Sequence, residues 1–180
     1  MKKWLILLSP LYLSACQVMT ATECQHANWA DLGRQDGLKG YAPRIYSRTD
    51  ACLKHGIAVP AQQIEKYQTA YKNAIDQYCQ PKNIFNLSII GEGRINACPE
   101  PNYSRVKAIY DVGSRYYQNK QDIQETQDRI QTLDDKIDEA STKDERYKLL
   151  EEQRQKSKAL NRLLIDKQDL QKELDWIRPR

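Results

Sequence analysis

The last third of the chain carries two separate heptad patterns, and this feature constrains the fold more than any other. Residues 114–180 contain no cysteine and no glycine, and Pro179 is their only proline. The first pattern has steps of seven, three, four and three, at Ile123, Ile130, Leu133, Ile137 and Ala140. The second alternates steps of four and three through Leu149, Gln153, Lys156, Leu160, Leu163, Lys167, Leu170, Leu174 and Ile177. Such spacing is typical of helices that pair along a seam.

The two patterns do not share one register, and the residues between them have a helix-start signal. Thr142-x-x-Glu145 has the form of a capping box, in which each side chain bonds the other's backbone. We therefore expect residues 114–180 to be a charged antiparallel coiled-coil hairpin of two helices, with a turn near residues 141–143. If residues 141–144 stayed helical, residues 115–177 would instead form one rod of roughly 95 Å. The sequence leaves that alternative open.

Residues 24–113 differ in composition, because they hold Cys24, Cys52, Cys79 and Cys98 together with all of the glycines. An even number of cysteines in an exported domain predicts disulfides, here two. Three pairings are open. Sequential closure, Cys24 with Cys52 and Cys79 with Cys98, makes the shortest loops and is favoured. Each bond would stabilise a small domain by roughly 2–4 kcal/mol.

Local signals predict helices in this region. A short helix should begin near Trp29, carry the small residues Gly33 and Gly37 on one face, and end at Gly40. A second should start after Pro60 and run to Cys79. Residues 80–99 are expected to be irregular, with a small β-hairpin turning at residues 91–93. The fold class is therefore all-α: a small disulfide-bonded helical head (24–113) plus the C-terminal antiparallel coiled-coil hairpin.

The N-terminus has the features of a secretory signal. A basic start, Met1-Lys2-Lys3, precedes an apolar stretch, residues 4–13, that is too short for a transmembrane helix. Leu13-Ser14-Ala15-Cys16 then resembles the lipobox of bacterial lipoproteins. This resemblance implies that residues 1–15 are removed and that Cys16 is lipidated, with acyl chains such as palmitate.

Residues 16–23 would then be a lipid-anchored linker on the mature chain. Gln17 stands where that class usually has Asp if it is retained at the inner membrane. We therefore expect a cell-envelope lipoprotein, lipid-anchored to the periplasmic face of the outer membrane.

The head also resembles a known family. Trp29-Ala-Asp-Leu-Gly33-Arg-Gln-Asp36-Gly37-Leu-Lys-Gly40 is followed by Cys52, Tyr78-Cys79-Gln-Pro81-Lys-Asn83-x-Phe85, Gly91-x-Gly93, Cys98-Pro99 and Tyr110-x-x-Gly113. This order is similar to a proteobacterial lipoprotein family catalogued as domain of unknown function 2799. The resemblance covers residues 24–117. It implies no substrate, cofactor or catalytic residue.

No motif in the chain indicates an active site, so we expect no enzyme activity, no cofactor and no metal. Cys24-x-His26 and Cys52-x-x-His55 could together supply four ligands to a zinc ion. In an oxidising compartment, however, the thiols would be oxidised to disulfides and could not bind the metal. Asp31, Asp36 and Asp50 lie close in sequence, and a hydrolase could use such acidic residues of the head. This hydrolase hypothesis is the last of the three functions that we consider.

Charge also limits the partners. Loss of Lys2 and Lys3 with the signal lowers Lys and Arg from 28 to 26 against 24 Asp and Glu, so nucleic acid is not expected. Polar residues within the second heptad pattern indicate a short pairing that is either moderately stable by itself or completed by a partner. The expected function is thus a structural or protein-interaction module that engages an envelope protein or itself. The alternative is a periplasmic glycan or small-molecule binding module that uses the tyrosines of the head, and non-covalent peptidoglycan contact stays open.

Overall fold

A computed structural model describes residues 19–179, and every regular element in this part of the chain is an α-helix. The helices are α1 (Ala21–His26), α2 (Trp29–Leu38), α3 (Ile45–Lys54), α4 (Ala61–Tyr78), α5 (Pro81–Ser88), α6 (Asn102–Glu139) and α7 (Lys143–Ile177). The all-helical class is confirmed. Within the described residues no helix is both long and apolar enough to cross a membrane. Cys16 and the signal segment lie outside the described residues.

The head has two hydrophobic cores joined by α4. The first core lies among α1, α2, α3 and the first half of α4, and it contains Met19, Trp29, Ile45 and Tyr67. A disulfide between Cys24 and Cys52, with a separation of 28 residues, lies in this core. Both sulfur-bearing residues are nearly inaccessible to solvent, so the bond ties α1 to α3 inside the core.

The second core lies where α5, the start of α6 and the end of α7 meet the second half of α4. Its members include Ile75, Ile84, Val106 and Leu174. The second disulfide joins Cys79 to Cys98 across 19 residues and fixes the loop after α5 against the end of α4. The two expected disulfides are thus present, in the sequential pairing. Because Leu174 belongs to this core, the end of the C-terminal segment packs into the head.

Helices α2 and α4 pack with almost no space between their backbones. A Cβ atom on Gly33 would overlap the carbonyl oxygen of Tyr67, and one on Gly37 would lie 2.7 Å from the Cβ of Ala74. The small residues of α2 therefore face the small residues of α4, as expected for close helix packing. Gly40 ends α2 with a φ of 66°, and any side chain there would overlap the ring of Tyr78.

Helices α5 and α6 repeat the same arrangement. A Cβ atom on Gly113 of α6 would lie 2.6 Å from the Cβ of Ser88 on α5. Gly91, with a φ of 79°, follows α5 and packs on the ring of Tyr117 as Gly40 packs on Tyr78. Each unit of the head is therefore a short helix lying on a longer one through small residues, followed by a left-handed glycine on a tyrosine ring.

Helices α6 and α7 pair in opposite directions. The pairing is marked by Arg129 with Glu152 at 2.6 Å and by Arg115 with Glu173 at 2.5 Å, so earlier residues of α6 meet later residues of α7. The turn is at residues 140–142, where the Thr142 hydroxyl accepts a hydrogen bond from the Glu145 amide at 3.2 Å. The single straight rod is therefore wrong, because the chain reverses at that cap.

Several expectations differ from the structure. The irregular region is interrupted by α5, and the β-hairpin at residues 91–93 is wrong, since residues 19–179 contain no strand. Pro81 occupies the first turn of α5, where its missing N–H costs nothing. The division at residues 113 and 114 falls inside α6, which runs continuously from the head into the hairpin.

Candidate functional site

A buried ion pair with a tyrosine lies at the centre of the first unit. Asp36 is 3% exposed, and Arg48 of α3 binds both of its carboxylate oxygens through Nη2, at 3.0 and 3.1 Å. The Tyr67 hydroxyl donates to Asp36 Oδ2 at 2.7 Å and accepts from the Arg44 amide at 2.8 Å. This network joins α2, α3 and α4.

The network keeps its tyrosine protonated and its carboxylate paired with a cation. Burial, reinforced by the hydrogen bond to Asp36, raises the pKa of Tyr67, so its hydroxyl stays protonated. Both carboxylate oxygens of Asp36 are occupied by Arg48, and one also accepts from Tyr67. Asp36 is therefore paired with a cation inside the core.

The other two acids of the hydrolase hypothesis lie elsewhere. Asp31 accepts hydrogen bonds from Asn28 and Arg34 at the start of α2. Asp50 pairs with Lys54 on the exposed side of α3, at 2.7 Å. The structure therefore does not bring the three carboxylates together, and the geometry gives the hydrolase hypothesis no support.

The zinc arrangement is also not formed. Cys24 and Cys52 are bonded to each other, which removes the thiolates that would bind the metal. His55 Nε2 lies 3.3 Å from the carbonyl oxygen of Met19. Within residues 19–179, no group of three or more His, Cys, Asp or Glu side chains is placed to hold a metal ion.

An open pocket of about 430 Å³ lies beside the Asp36 network. Its lining combines apolar and polar groups: Met19, Thr22, Glu23, His26, Ala27, Asn28, Asp31, Leu32, Gln35 and Arg48. Hydrogen bonds from the backbone and hydroxyl of Thr20 lower the pKa of Glu23, which therefore stays ionised. The pocket thus offers both an anionic and a cationic group to a small polar ligand.

Most head tyrosines serve packing rather than an open binding face. Tyr67 and Tyr78 are buried, and the Tyr71 hydroxyl donates to the carbonyl oxygen of Tyr41 at 2.8 Å. The ring of Tyr41 is contacted by the guanidinium groups of Arg44, at 4.0 Å, and Arg94, at 5.1 Å. The tyrosine side chains therefore join helices and loops, which removes most of them from the glycan-binding hypothesis.

A different surface stands out on α7. Tyr147 is 73% exposed, Ile165 59% and Trp176 90%, and Leu150 lies beside Tyr147 at 45%. Separations of 18 and 11 residues place Tyr147, Ile165 and Trp176 five and three turns apart on one helix face. These four residues, which we call the outer apolar face of α7, alternate along the helix with charged side chains such as Arg154 and Lys172. This face lies opposite the α6 contact, because Ile165 and Trp176 each follow a seam leucine by two residues.

The position of Asp36 on α2 is a sequence signal for the buried network. Asp36 lies on the same face of α2 as Gly33 and Gly37, and that face was already assigned to close helix contact. A carboxylate on such a face must find a cation. Its partner Arg48 is twelve residues away, in a helix that we did not predict.

Comparison with known protein families gives a match to the head. No curated protein and no solved structure matches the chain. Residues 28–115 match the family described as protein of unknown function (DUF2799), which confirms the resemblance of the head to a domain of unknown function. These residues contain the Asp36 network and both small-residue helix contacts.

Proposed function

We propose that the protein is a non-enzymatic cell-envelope lipoprotein that serves as a structural or protein-interaction module. The lipid on Cys16 would anchor it to the periplasmic face of the outer membrane. The disulfide-bonded head would hold the α6–α7 hairpin as the part that engages a partner. The observation that carries this proposal is the outer apolar face of α7, which the fold leaves exposed.

The head supports the anchored role through its construction. Two disulfides in a domain of about ninety residues suit an oxidising compartment outside the cytoplasm. Metabolic labelling with an alkyne fatty acid tests the anchor directly. The wild-type protein should be labelled and the Cys16→Ser variant should not be. Equal labelling of both would contradict the anchor.

The hairpin supports the interaction role. The heptad residues Ile123, Leu133, Ile137, Leu170 and Leu174 are all buried, so α6 and α7 use these positions against each other or the head. We infer that the pair is an antiparallel coiled coil. Aromatic residues such as Tyr147 and Trp176 are unusual on a solvent-facing helix and are enriched at protein interfaces. The partner would be a helix of an envelope protein or of a second copy of this chain.

Site-specific photocrosslinking in cells tests the interaction face. A benzophenone amino acid at Ile165 or Trp176 should give a discrete crosslinked product. The same probe at Gln131, an exposed polar position on α6, serves as the matched control. The mass of the product separates a second copy of the chain from another protein. Crosslinking at Ile165 that does not exceed the control would contradict the proposal.

A second candidate function rests on the pocket beside Arg48. Its mixture of charged and apolar groups suits a small polar ligand such as a peptidoglycan fragment or another glycan. Calorimetric titration with muropeptides would test it, with Gln35→Ala to remove a lining amide and Gln63→Ala outside the pocket as the control. Binding that Gln35→Ala weakens and the control does not would favour this function over the first.

A further inference from the structure

Two arginine side chains of the head lie on one tyrosine ring. The guanidinium carbon of Arg44 is 4.0 Å from the centroid of the Tyr41 ring, and that of Arg94 is 5.1 Å from the same centroid. The two cations are therefore at most about 9 Å apart. Tyr41 and Arg44 lie between α2 and α3, whereas Arg94 lies in the loop after α5, so the cations come from different units of the head. We call these three residues the Tyr41 cluster.

Helix α4 holds all three members of the Tyr41 cluster by their backbones. Three tyrosine hydroxyls of α4 make the hydrogen bonds: Tyr71 donates to the Tyr41 carbonyl oxygen at 2.8 Å, Tyr67 accepts from the Arg44 amide at 2.8 Å, and Tyr78 accepts from the Arg94 amide at 2.9 Å. One helix thus fixes the backbone positions from which the ring and both cations project. None of these bonds uses the side chains of the cluster.

The side chains of the cluster have donors that the fold leaves open. Within residues 19–179, no carboxylate forms an ion pair with Arg44 or Arg94, although Glu92 is only two residues before Arg94. Arg94 Nη1 donates to the Lys39 carbonyl oxygen at 3.4 Å. The Arg44 guanidinium and the Tyr41 hydroxyl have no hydrogen-bond partner in the described part of the chain, and both arginines are exposed. A ligand from solvent can therefore reach these donors.

This arrangement favours an anion. Two guanidinium cations at this distance repel each other, and an anion beside them would offset that repulsion. The separation is within one Debye length, which is about 8–10 Å, so both cations act on the same ligand. Because the ring already holds the two side chains, less conformational freedom is lost when the anion binds.

Among anions, the donors fit a phosphate group best. Guanidinium groups pair with phosphate oxygens through two parallel hydrogen bonds, a geometry that an ammonium group does not provide. A phosphate monoester has three acceptor oxygens and more charge than a carboxylate. It can therefore accept hydrogen bonds from more than one member of the cluster.

We propose that the Tyr41 cluster is a binding site for a phosphate group, carried either by a soluble molecule or by a lipid headgroup. Arg44 and Arg94 donate to its oxygens from the two units of the head, and the Tyr41 hydroxyl supplies a further donor. The site shares no residue with the outer apolar face of α7, so it does not depend on the interaction role proposed above.

Nuclear magnetic resonance tests the site on the full chain, isotope-labelled and kept in nonionic detergent micelles. The backbone amide and Nε–H signals of Arg44 and Arg94 are compared with those of Arg146, an exposed arginine near the start of α7 at the tip of the hairpin. In one arm inorganic phosphate is added, with acetate at equal ionic strength as the matched anion. In the other arm phosphatidylglycerol is mixed into the micelles, with phosphatidylcholine, whose headgroup has no net charge, as the matched lipid.

We expect phosphate to shift the signals of Arg44 and Arg94 in at least one arm and to leave those of Arg146 in place. Shifts with inorganic phosphate would show that the site takes free phosphate. Shifts with phosphatidylglycerol alone would identify the lipid headgroup as the source.

Variants then test the side chains. Arg94→Gln should weaken binding about tenfold, because it removes hydrogen bonds between charged groups. Arg94→Lys keeps the charge without the paired donors and should weaken binding by a smaller factor. Arg146→Gln makes the same change in charge at the hairpin tip and should leave the affinity unchanged. Unchanged signals from α2 confirm that each variant is folded.

Three results would overturn the proposal. The first is equal shifts with phosphate and acetate and with the two lipids, since these would indicate only general screening of charge. The second is the absence of shifts at Arg44 and Arg94 in both arms. The third is an equal loss of affinity in Arg94→Gln and Arg146→Gln, because binding would then follow net charge rather than the cluster.

Discussion

The α2–α4 contact and the α6–α7 contact are both helix pairs, but they tolerate change very differently. In the head, the backbones touch through Gly33 and Gly37, and no added atom fits between them. In the hairpin, α6 and α7 pack through buried side chains, among them Leu133 of α6 and Leu170 of α7. Ion pairs such as Arg129 with Glu152 lie at the exposed edge. The helix arrangement in the head therefore depends on close fit between backbones, whereas the hairpin depends on the apolar area that its side chains bury.

The buried polar groups show the same difference. Both carboxylate oxygens of Asp36 in the head accept hydrogen bonds, from Arg48 and, at Oδ2, also from Tyr67. Asn119 in the hairpin seam donates to the Leu163 carbonyl oxygen at 3.1 Å, while its own Oδ1 has no partner among the described residues. A seam asparagine of this kind sets the register of a helix pair at some cost in stability. The hairpin is thus specified less completely than the head.

The largest expected effect is that of Gly33→Ala. A methyl group there would overlap the Tyr67 carbonyl oxygen, so α2 and α4 must separate. We expect a loss of about 4 kcal/mol in the free energy of unfolding, above the usual 1–3 kcal/mol of overpacking because the obstacle is backbone. Helix propensity alone predicts a gain of up to about 1 kcal/mol. Urea unfolding with the disulfides intact measures the change, and Gln35→Ala on the exposed side of α2 is the control. A Gly33→Ala variant as stable as the wild type would contradict the close contact.

The next largest effect should come from Leu133→Ala in the hairpin. Leu133 is fully buried, and truncation of such leucines costs about 3 kcal/mol. Since the hairpin is joined to the head only at its root, the loss should be local. Hydrogen exchange should accelerate in the outer turns of α6 and α7 and stay unchanged in α2. Leu164→Ala, at a position that is 39% exposed, is the control. Faster exchange throughout the head would show that the two regions unfold together.

The comparison also explains what the sequence could and could not predict. Helix α4 and the start of α7 follow from local signals, the Pro60 turn and the Thr142 cap. Loop length favours the sequential disulfides but leaves the other two pairings open, and the structure has the sequential pair. Helix α5 was not predicted because a proline such as Pro81 can either end a helix or begin one. Only the burial of Ile84 and Phe85 in the core shows that a helix begins there.

The interior of the head was harder to predict because its contacts are distant in sequence. The Asp36 network spans residues 36–67 and depends on α3, which has no side-chain cap to announce it. The heptad spacing of the hairpin, by contrast, contains its own register. A fold held by repeated local patterns is therefore readable from sequence, whereas one held by shape complementarity is not.

Tyr67→Phe tests the buried network of the head. The change removes one hydroxyl that donates to Asp36 and accepts from the Arg44 amide. Leaving a buried partner unsatisfied costs ~1–3 kcal/mol, so we expect a loss of about 2 kcal/mol with little change in shape. Thermal unfolding measures it, and Tyr46→Phe, an exposed tyrosine of α3, should be neutral. Equal effects of the two substitutions would show that the network contributes nothing.

The same tyrosine predicts a dependence on alkaline pH. Burial raises the pKa of Tyr67 above its ordinary value of 10.0, so its contribution is complete below pH 10 and is lost as the pH rises further. Each such group lowers the free energy of unfolding by roughly 1.4 kcal/mol per pH unit in that window. Burial also raises the pKa values of Tyr71 and Tyr78. Above pH 10, rapid urea unfolding measures the free energy of unfolding at each pH. We expect this free energy to fall less steeply with pH for Tyr67→Phe than for the wild type. Equal pH dependences would contradict the assignment.

The smallest effect should be that of Thr142→Ala at the hairpin turn. Its hydroxyl accepts from the Glu145 amide, and loss of such a cap costs about 1 kcal/mol. The turn residues are exposed and no core packs on them, so nothing else there opposes fraying of the first turn of α7. Exchange of the Glu145 and Arg146 amides should accelerate while urea unfolding of the whole protein changes little. Ser141→Ala, one residue earlier, is the matched control. If Thr142→Ala destabilised the protein as much as Leu133→Ala, the turn rather than the apolar seam would hold the hairpin closed. The contrast between a head that depends on close backbone fit and a hairpin that depends on buried apolar area would then be wrong.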